Sequence, residues 1–256
     1  MYYTLVTGAS GVLGKCFCTE LAKQKNNLII SGRSQEKLDE LKQELSSFGV
    51  DILAFACDLS VMEERAKLFE FISPLKINKL ILVAGNDNQM GIENYSQEKV
   101  CKQIRANFES AVDLSRFCLP KMDKGGWVLA ISSLTAILPM PYFAVYSASK
   151  RAMLDYFSAI RYEFPHLNIS VALPSSMPTR PDVILDIKKQ GLTGKLASQQ
   201  PEKVAKICLK KVKKNKRIIL VGLYNKIVYF FNKITPLGFR CRLIAKKFKN
   251  KRKENF

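Results

Sequence analysis

The chain alternates short apolar runs with stretches of amphipathic helical period over most of its length. Such alternation indicates strands and helices in turn. It predicts the α/β class, with a doubly wound parallel sheet covered by helices on both faces. At 256 residues the chain is long enough to build one such domain around an ample core. Strands are predicted at 2–6, 28–34, 52–57, 80–83, 127–132, 169–173 and 217–222, and helices at 15–25, 35–48, 63–72, 96–122, 146–164 and 202–214.

A glycine-rich turn follows the first predicted strand. It reads TGASGVLG at positions 7–14 and leads into the helix predicted at 15–25. A strand, such a turn and a helix N-terminus form a site for a dinucleotide pyrophosphate. Glycines let the backbone approach the phosphates, and free N–H groups at the helix start bind the anion. This order favours a nucleotide site over a plain tight connection. The predicted phosphate contacts are Gly8, Ser10, Gly11, Leu13 and Gly14.

Three side chains in the second half of the chain predict proton transfer. Tyr146 and Lys150 are four residues apart, so on a helix they lie on one face. A free tyrosine loses its proton near pH ~10, and a fixed positive charge nearby lowers that pKa. Ser133, thirteen positions before Tyr146, can donate a hydrogen bond to a substrate oxygen. Together they form a device that moves a proton on and off a carbonyl, whereas the pair alone is also compatible with a solvated helix face.

Further motifs follow one another in an order that resembles the short-chain dehydrogenase/reductase family. The resemblance covers about residues 2–222 and implies a Rossmann fold. The motifs are Asp58 in CDLS at 57–60, Ala84-Gly85 after the apolar run 80–83, Asn107 in RANF at 105–108, LPKM at 119–122, ISS at 131–133, Tyr146 with Lys150, and PSSMPT at 174–179.

The resemblance also implies a role for each matching residue. Tyr146 would be the general acid/base, Ser133 would orient and polarise the carbonyl oxygen, and Lys150 would lower the tyrosine pKa and bind the nicotinamide ribose. Asn107 would fix a water that relays protons to Lys150. For the coenzyme, the family implies contacts from Asp58 and Leu59 to adenine, from Ala84, Gly85 and Pro174 along the cleft, and from Thr179 to the carboxamide.

Three departures from the family pattern stand out. The middle glycine of the turn is Gly11, and Val12 occupies the usual glycine position. That spacing is seen in the extended branch, which includes nucleotide-sugar epimerases, but their larger C-terminal substrate domain exceeds the length of this chain. Leu82 and Val83 replace two asparagines, and Ser175 replaces a glycine. None removes a catalytic side chain, which argues against a third possibility, a coenzyme-sensing protein without turnover.

The end of the second predicted strand indicates which coenzyme is used. Family members that use NAD usually carry an acidic residue there, whereas this chain has Gly32 followed by Arg33 and Ser34. A guanidinium suits the 2′-phosphate of NADP, and a serine adds a donor. The predicted cofactor is therefore NADP(H), with a solvated arginine in a turn as the alternative.

Cysteine and histidine usage predicts no metal site. Seven cysteines are scattered without paired spacing, and His166 is the only histidine. Free thiols are typical of a reducing cytoplasm, and no signal peptide precedes the first predicted strand, so a cytoplasmic location is expected.

Positive charge is concentrated at the C-terminus. Residues 202–256 hold 18 Lys/Arg and 2 Glu, a formal charge of +16 out of +19 for the whole chain. Within 223–256, apolar residues from Ile227 to Phe248 interleave with basic ones through Lys253, and no run approaches the ~20 apolar residues that span a bilayer. We therefore divide the chain into a catalytic domain at 1–222 and a basic amphipathic extension at 223–256, broken into two helices at Pro236-Leu237-Gly238.

The extension allows three interpretations. Its pattern favours a helix at an anionic membrane surface, and some bacterial members of the family look similar here. Packing on its own domain or on a partner subunit is the second, and nucleic-acid binding is the least favoured. The family resemblance itself implies a homodimer or homotetramer joined through the Asn107 and Tyr146 helices.

These observations predict an NADPH-dependent carbonyl reductase, or the reverse alcohol dehydrogenase. The substrate is a small-molecule carbonyl or alcohol, with a lipophilic ketone or a 3-oxoacyl chain expected. Apolar residues that would line its pocket are Leu134, Ile137, Leu138, Met140, Tyr142, Phe143, Val183, Ile184, Leu185 and Ile187.

Overall fold

Seven parallel strands form one sheet in the computed structural model, which describes residues 1–189 and 191–248. The strands are β1 Tyr3–Thr7, β2 Asn27–Gly32, β3 Ile52–Ala56, β4 Ile77–Leu82, β5 Trp127–Ile131, β6 Asn168–Leu173 and β7 Ile218–Leu220. Their order is β3-β2-β1-β4-β5-β6-β7. The chain reverses direction across the sheet between β1 and β4, which is where doubly wound folds bind ligands. The predicted fold class is confirmed.

Helices cover both faces of the sheet. They are α1 Val12–Lys23, α2 Gln35–Leu45, α3 Met62–Ile72, α4 Gln97–Ile104, α5 Ser110–Cys118, α6 Ala144–Glu163, α7 Pro181–Lys189, α8 Gly191–Ala197, α9 Pro201–Val212, α10 Gly222–Ile234 and α11 Leu237–Phe248. Neighbouring residues of a strand point to opposite faces, so Leu5 packs in one core with α5 and α6, and Val6 packs in the other with α1, α2 and α9.

The prediction of one continuous helix at 96–122 is wrong. The segment is divided into α4, a π-helical turn at Arg105–Glu109, α5 and a 3₁₀ turn at Leu119–Lys121. Asn107 is buried in the π-helical turn, where its amide bonds to the backbone of the loop after β4. Single π turns inside α-helices occur frequently at functional sites.

The basic C-terminal segment is not one extension. Its first part, up to Leu220, is α9 and β7, and α9 buries Val204, Cys208 and Val212 against α1. The remaining segment, 223–256, holds ten Lys/Arg and one Glu, and its described part belongs to α10 and α11. The predicted break is confirmed, because α10 ends at Ile234 and α11 begins at Leu237. Residues 249–256, with Lys253, and the side chain of Phe248 lie outside the described residues.

The described part of the chain contains no membrane-spanning helix and no cluster of metal ligands. Within 1–189 and 191–248, no helix combines the length and apolar character that crossing a bilayer requires. Within the same residues, no group of three His, Cys, Asp or Glu side chains is placed to hold a metal ion.

Candidate active site

Ser133, Tyr146 and Lys150 meet at the carboxyl edge of the sheet. Ser133 follows β5 and caps the 3₁₀ turn at Leu134–Ile137, where its Oγ accepts a hydrogen bond from Thr135 N at 3.2 Å. Tyr146 and Lys150 lie in the first two turns of α6. The Tyr146 ring stacks on Phe143 at a centroid distance of 4.5 Å, and its phenol interacts with the Ser133 hydroxyl. The predicted trio is thus brought together.

Burial sets the charge state of the tyrosine. It raises the pKa of Tyr146 well above that of a free tyrosine, and the Asp87 carboxylate raises it further, while Ser133 and Arg180 act in the opposite direction. The prediction that the pKa of Tyr146 is lowered is therefore wrong, because its pKa is raised. The loss of solvation dominates, and the Lys150 ammonium lies 5.8 Å from the tyrosine ring centroid. At neutral pH this phenol holds its proton.

Lys150 is itself buried, with 4% of its surface exposed. Its Nζ donates a hydrogen bond to the backbone oxygen of Ile131 at 3.0 Å. Burial lowers the pKa of Lys150 to about 8, and Asp87 opposes this shift. The lysine consequently titrates close to physiological pH, which is the range that acid–base chemistry uses.

Asn107 anchors the loop that follows β4. Its Oδ1 accepts from Asn86 N at 2.6 Å, and its Nδ2 donates to Asn86 O at 2.8 Å and to Ser149 Oγ at 3.1 Å. Gly85 fits between this amide and the lysine. A Cβ added at Gly85 would lie 3.1 Å from both Asn107 Oδ1 and Lys150 Nζ. Because Gly85 has no side chain, the Asn107 amide and the Lys150 ammonium can both approach the backbone at position 85.

The glycine-rich turn lies beside this site. Gly8 has a left-handed φ of 64°, and a Cβ there would lie 2.9 Å from the Cα and N atoms of Ala84. A Cβ at Gly14 would lie 2.1 Å from Gly8 O, so helix and turn pack at a distance that only glycine permits. Val12, at the family's usual glycine position, is 43% exposed, which explains why a side chain is tolerated there.

The start of α1 is open to an anion. Gly11 is its N-cap, and no side chain among the described residues caps this first turn. Leu13 is buried and fixes the helix on the sheet. Backbone N–H groups at such a helix start are donors for phosphate oxygens.

The end of β2 carries the residues predicted to select the coenzyme. Arg33 is exposed, and Ser34 caps α2, its Oγ accepting from Lys37 N at 3.3 Å. A Cβ at Gly32 would lie 2.8 Å from Ser10 Oγ, so an acidic side chain would require Ser10 to move. Position 32 therefore has no acidic side chain in the sequence, and the packing around it has little space for one.

Asp58 and Leu59 follow β3. Asp58 Oδ1 accepts from Ser60 N at 2.9 Å and from Ser60 Oγ at 2.7 Å. Partial burial opposes ionisation, but these bonds and the positive charges of Lys102 and Arg33 hold the pKa of Asp58 below its ordinary value. Leu59 O accepts from the buried Arg65 at 2.8 Å. Asp58 Oδ1 thus stabilises the turn at residues 58–60.

The segment after β6 packs against the Ser133 turn. Pro174 O accepts from Leu134 N at 2.8 Å, which ties this segment to the Ser133 turn. Ser175, which replaces a family glycine, donates from Oγ to Ala197 O and so holds the end of α8. Thr179 N bonds to Met177 O at 2.7 Å.

Comparison with known proteins identifies the family. Residues 3–187 match the family model described as short chain dehydrogenase. The chain belongs to this family. It is similar to an 11-beta-hydroxysteroid dehydrogenase-like 2 of Arabidopsis thaliana, with 32% identity over 181 residues, 68% of this chain and 59% of the relative. It is also similar to a very-long-chain 3-oxoacyl-CoA reductase-A of Danio rerio, with 29% identity over 195 residues, 70% of this chain and 59% of the relative. The chain thus spans about three fifths of the length of these curated relatives.

Solved structures show the same fold at low identity. A structure of a 7beta-hydroxysteroid dehydrogenase matches with a TM-score of 0.85 and 22% identity, over 95% of this chain and 96% of that one. A short-chain dehydrogenase from Sphingobium yanoikuyae in complex with NADPH matches with a TM-score of 0.79 and 19% identity, over 100% of both chains. At these identities the two similarities show a shared backbone fold.

The residues of this short chain dehydrogenase fit an NADP molecule. The packing at Gly8 and Gly14 has no space for a Cβ, and no side chain among the described residues caps the first turn of α1, which is the backbone arrangement that a pyrophosphate needs. Arg33 directly follows β2 and is exposed, and a guanidinium is a suitable donor to a phosphate. The chain therefore offers matching donors to the phosphates that the coenzyme would bring.

Sequence reasoning missed Asp87 and Arg180. The Arg180 guanidinium donates to Asp87 at 2.7 and 3.2 Å, and to Asp182 of α7 at 3.2 and 3.4 Å. The pair joins the loop after β4 to the segment after β6, beside Tyr146. A signal was present: each residue closely follows a family motif at the carboxyl edge of the sheet, and their charges are opposite.

Proposed function

We propose that this protein is an NADPH-dependent oxidoreductase that interconverts a carbonyl and a secondary alcohol. The observation that carries the proposal is the meeting of Ser133, Tyr146 and Lys150 at the carboxyl edge of the sheet, next to the glycine-rich turn. NADPH supplies the hydride when it is bound. The chain itself supplies the orientation of the carbonyl and the proton.

Tyr146 is the proton donor in the direction of reduction. Its raised pKa keeps the phenol protonated at neutral pH, so it can protonate the carbonyl oxygen while the Ser133 hydroxyl orients that oxygen. The Lys150 ammonium replenishes the phenol, and Asn107 is a positioning residue that fixes the neighbouring loop and Ser149. Oxidation of an alcohol needs the phenolate and is favoured at higher pH.

Turnover of a ketone panel tests this proposal. NADPH oxidation is followed with each ketone for the wild type and for Tyr146→Phe, and NADPH binding is measured in parallel by fluorescence. We expect turnover with at least one ketone and a loss of about 10²–10⁴-fold in kcat in the variant with binding retained. Full activity of Tyr146→Phe would overturn the assignment, and tight NADPH binding without any turnover would favour a coenzyme-sensing protein.

The coenzyme preference is tested separately. We expect kcat/KM to be higher with NADPH than with NADH, because Arg33 and Ser34 follow β2, where the family implies the 2′-phosphate, and position 32 is a glycine instead of an acid. Arg33→Ala should weaken NADPH selectively and leave NADH unchanged. Equal use of both coenzymes by the wild type would contradict the preference.

A lipophilic carbonyl, such as a 3-oxoacyl chain, is the substrate class that we propose. A cavity of about 250 Å³ is lined mainly by apolar groups, among them Met90, Tyr95, Tyr142 and Val145, and Val145 immediately precedes Tyr146 in α6. Two relatives are named for 3-oxoacyl-CoA and hydroxysteroid chemistry, which suits such a lining. Of the residues predicted to line the pocket, Leu134 and Ile137 belong instead to the core under α6. A chain-length series of 3-oxoacyl thioesters should give a kcat/KM that rises with chain length; a flat series would contradict the proposal.

We also propose a cytoplasmic homodimer or homotetramer joined through α4–α5 and α6. Exposed groups on α6, including Arg151 and Tyr162, are available for such contacts. Light scattering should give a mass of two or four chains, and Tyr162→Glu should lower it. A monomeric wild type would refute the assembly.

A further inference from the structure

Helix α10 carries apolar residues on two opposite faces. The inner face packs on the core through Tyr224, Val228 and Tyr229, and the buried Asn225 amide donates to Leu173 O at 2.9 Å. The outer face presents what we call the outer stripe. Its members recur at helical spacing and are 46–72% exposed: Leu223, Ile227, Phe230 and Ile234. A helix of a folded domain normally keeps its outward face polar, so this stripe needs a partner.

Helix α11 also exposes apolar side chains. Leu237, Phe239 and Leu243 are 53–57% exposed. In the same helix, Arg240 Nη1 donates to Ile137 O at 3.4 Å, in the loop between Ser133 and Tyr146. Ala245 contributes to the cavity proposed for the substrate. The two helices therefore stand between the substrate loop and solvent, with apolar groups directed outward.

Only positive charges accompany the outer stripe. Residues 223–253 contain ten Lys/Arg and no acidic residue. Lys226 and Lys233 lie on the exposed part of α10, and Arg242 and Lys246 on that of α11. Apolar side chains bordered by cations are the composition of helices that lie in a membrane interface.

We propose that the outer face of α10 and α11 docks on an anionic lipid bilayer, with both helices lying in the headgroup plane. The apolar stripe then reaches the acyl chains, and the cations contact lipid phosphates. The docking itself is independent of the proposed activity. Its use, the delivery of a lipophilic carbonyl to the neighbouring substrate loop, rests on the proposed function.

Charge and shape disfavour other occupants. In a symmetric contact with a second copy, this face would meet itself, so Lys226 and Lys233 would face like charges. Nucleic acid would satisfy the cations but would leave Phe230 and Ile234 against a phosphate backbone. A lipid surface satisfies both kinds of group.

Vesicle co-sedimentation of the full chain tests the docking without substrate or coenzyme. The probes are vesicles of phosphatidylcholine alone and of phosphatidylcholine with phosphatidylglycerol. We expect binding only to the anionic vesicles, with weakening toward about 0.5 M salt. The triple variant Ile227→Gln, Phe230→Gln and Ile234→Gln should lower the partition coefficient about tenfold or more. A thermal melt should match the wild type, because the altered side chains are exposed.

Matched single variants separate the stripe from general hydrophobicity. Phe230 is 62% exposed and Met62, on α3, is 65% exposed. Phe230→Gln should weaken vesicle binding, whereas Met62→Gln should leave it unchanged. Lys226→Gln with Lys233→Gln should weaken binding to anionic vesicles and flatten its salt dependence.

Three results would overturn the docking. One is equal pelleting of the triple variant and the wild type. Another is a fall in oligomer mass in the triple variant when the wild type does not pellet, which would assign the face to a second copy. The third is tight RNA binding without vesicle binding. Turnover of a water-soluble ketone without vesicles is measured separately, so a failure of the proposed activity is distinguishable from a failure of the docking.

Discussion

Asp87→Asn should shift the pH dependence of carbonyl reduction. The carboxylate accepts hydrogen bonds from Arg180 at 2.7 and 3.2 Å. Its negative charge adds to burial in raising the pKa of Tyr146 and opposes burial at Lys150. Asparagine keeps the shape of the side chain and removes its charge. With position 87 neutral, the Arg180 guanidinium acts in the same direction, because it already lowers the pKa of Tyr146.

The size of the shift follows from charge and exposure. A charge within about 4–6 Å changes a pKa by about 1–3 units. The Asp87 side chain is 33% exposed, so solvent screens it. We therefore expect about 0.5–1 unit, which corresponds to about 0.7–1.4 kcal/mol. The loss of a negative charge lowers both pKa values. The Lys150 ammonium, present below about pH 8 in the wild type, then disappears at lower pH.

The assay is kcat for NADPH-dependent reduction from about pH 6 to pH 10. The alkaline fall in kcat should move to lower pH in Asp87→Asn. Asp182→Asn is the matched control, because Asp182 contacts the same guanidinium from α7 at 3.2 Å. It should keep the wild-type profile. An unchanged profile in Asp87→Asn would refute the electrostatic reasoning. Equal shifts in both variants would show that Arg180 acts by holding the loop.

Three further variants test the packing around the site. Gly85→Ala puts a methyl group 3.1 Å from Asn107 Oδ1 and Lys150 Nζ, so kcat should fall about tenfold or more with little change in urea stability. Gly8→Ala forces a left-handed φ of 64° on a side chain, which should cost about 1–3 kcal/mol and abolish the thermal shift that NADPH produces. Arg65→Met removes a buried guanidinium that pairs with the partly exposed Glu109 and Asp113, so the free energy of unfolding in urea should fall by about 1.5–3 kcal/mol while NADPH affinity is kept.

The sheet could be predicted because its local signals agree. Apolar runs such as the one ending at Val6 are fully buried strands, and the turn at 7–14 requires glycine where Gly8 and Gly14 meet backbone. Spacing along a helix also fixed the neighbours Tyr146 and Lys150. Each of these inferences depends on contacts within one or two elements, which is the range over which residue patterns carry information.

Contacts between distant loops could not be predicted in the same way. Asp87 and Arg180 are 93 residues apart and meet only because β4 and β6 flank β5 in the sheet. The charge state of Tyr146 was predicted from one neighbour, Lys150, whereas burial by several elements decides it. Desolvation is a property of the whole packing, so residue spacing alone gave the wrong direction.

The outer stripe of α10 shows why exposure must be known before a pattern is interpreted. Apolar residues at 223–234 surround the helix, and such a helix is ordinarily buried in a core. Here Tyr224 and Val228 do pack on the core, so the packing interpretation is correct for the inner face. Phe230 and Ile234 lie on the other side and are both 62% exposed. Helix α10 thus buries only one of its apolar faces against its own domain, and the other face lies in solvent beside lysine side chains. A bilayer interface offers acyl chains to the exposed apolar groups and phosphates to the lysines, which is why we propose it as the second environment of this helix.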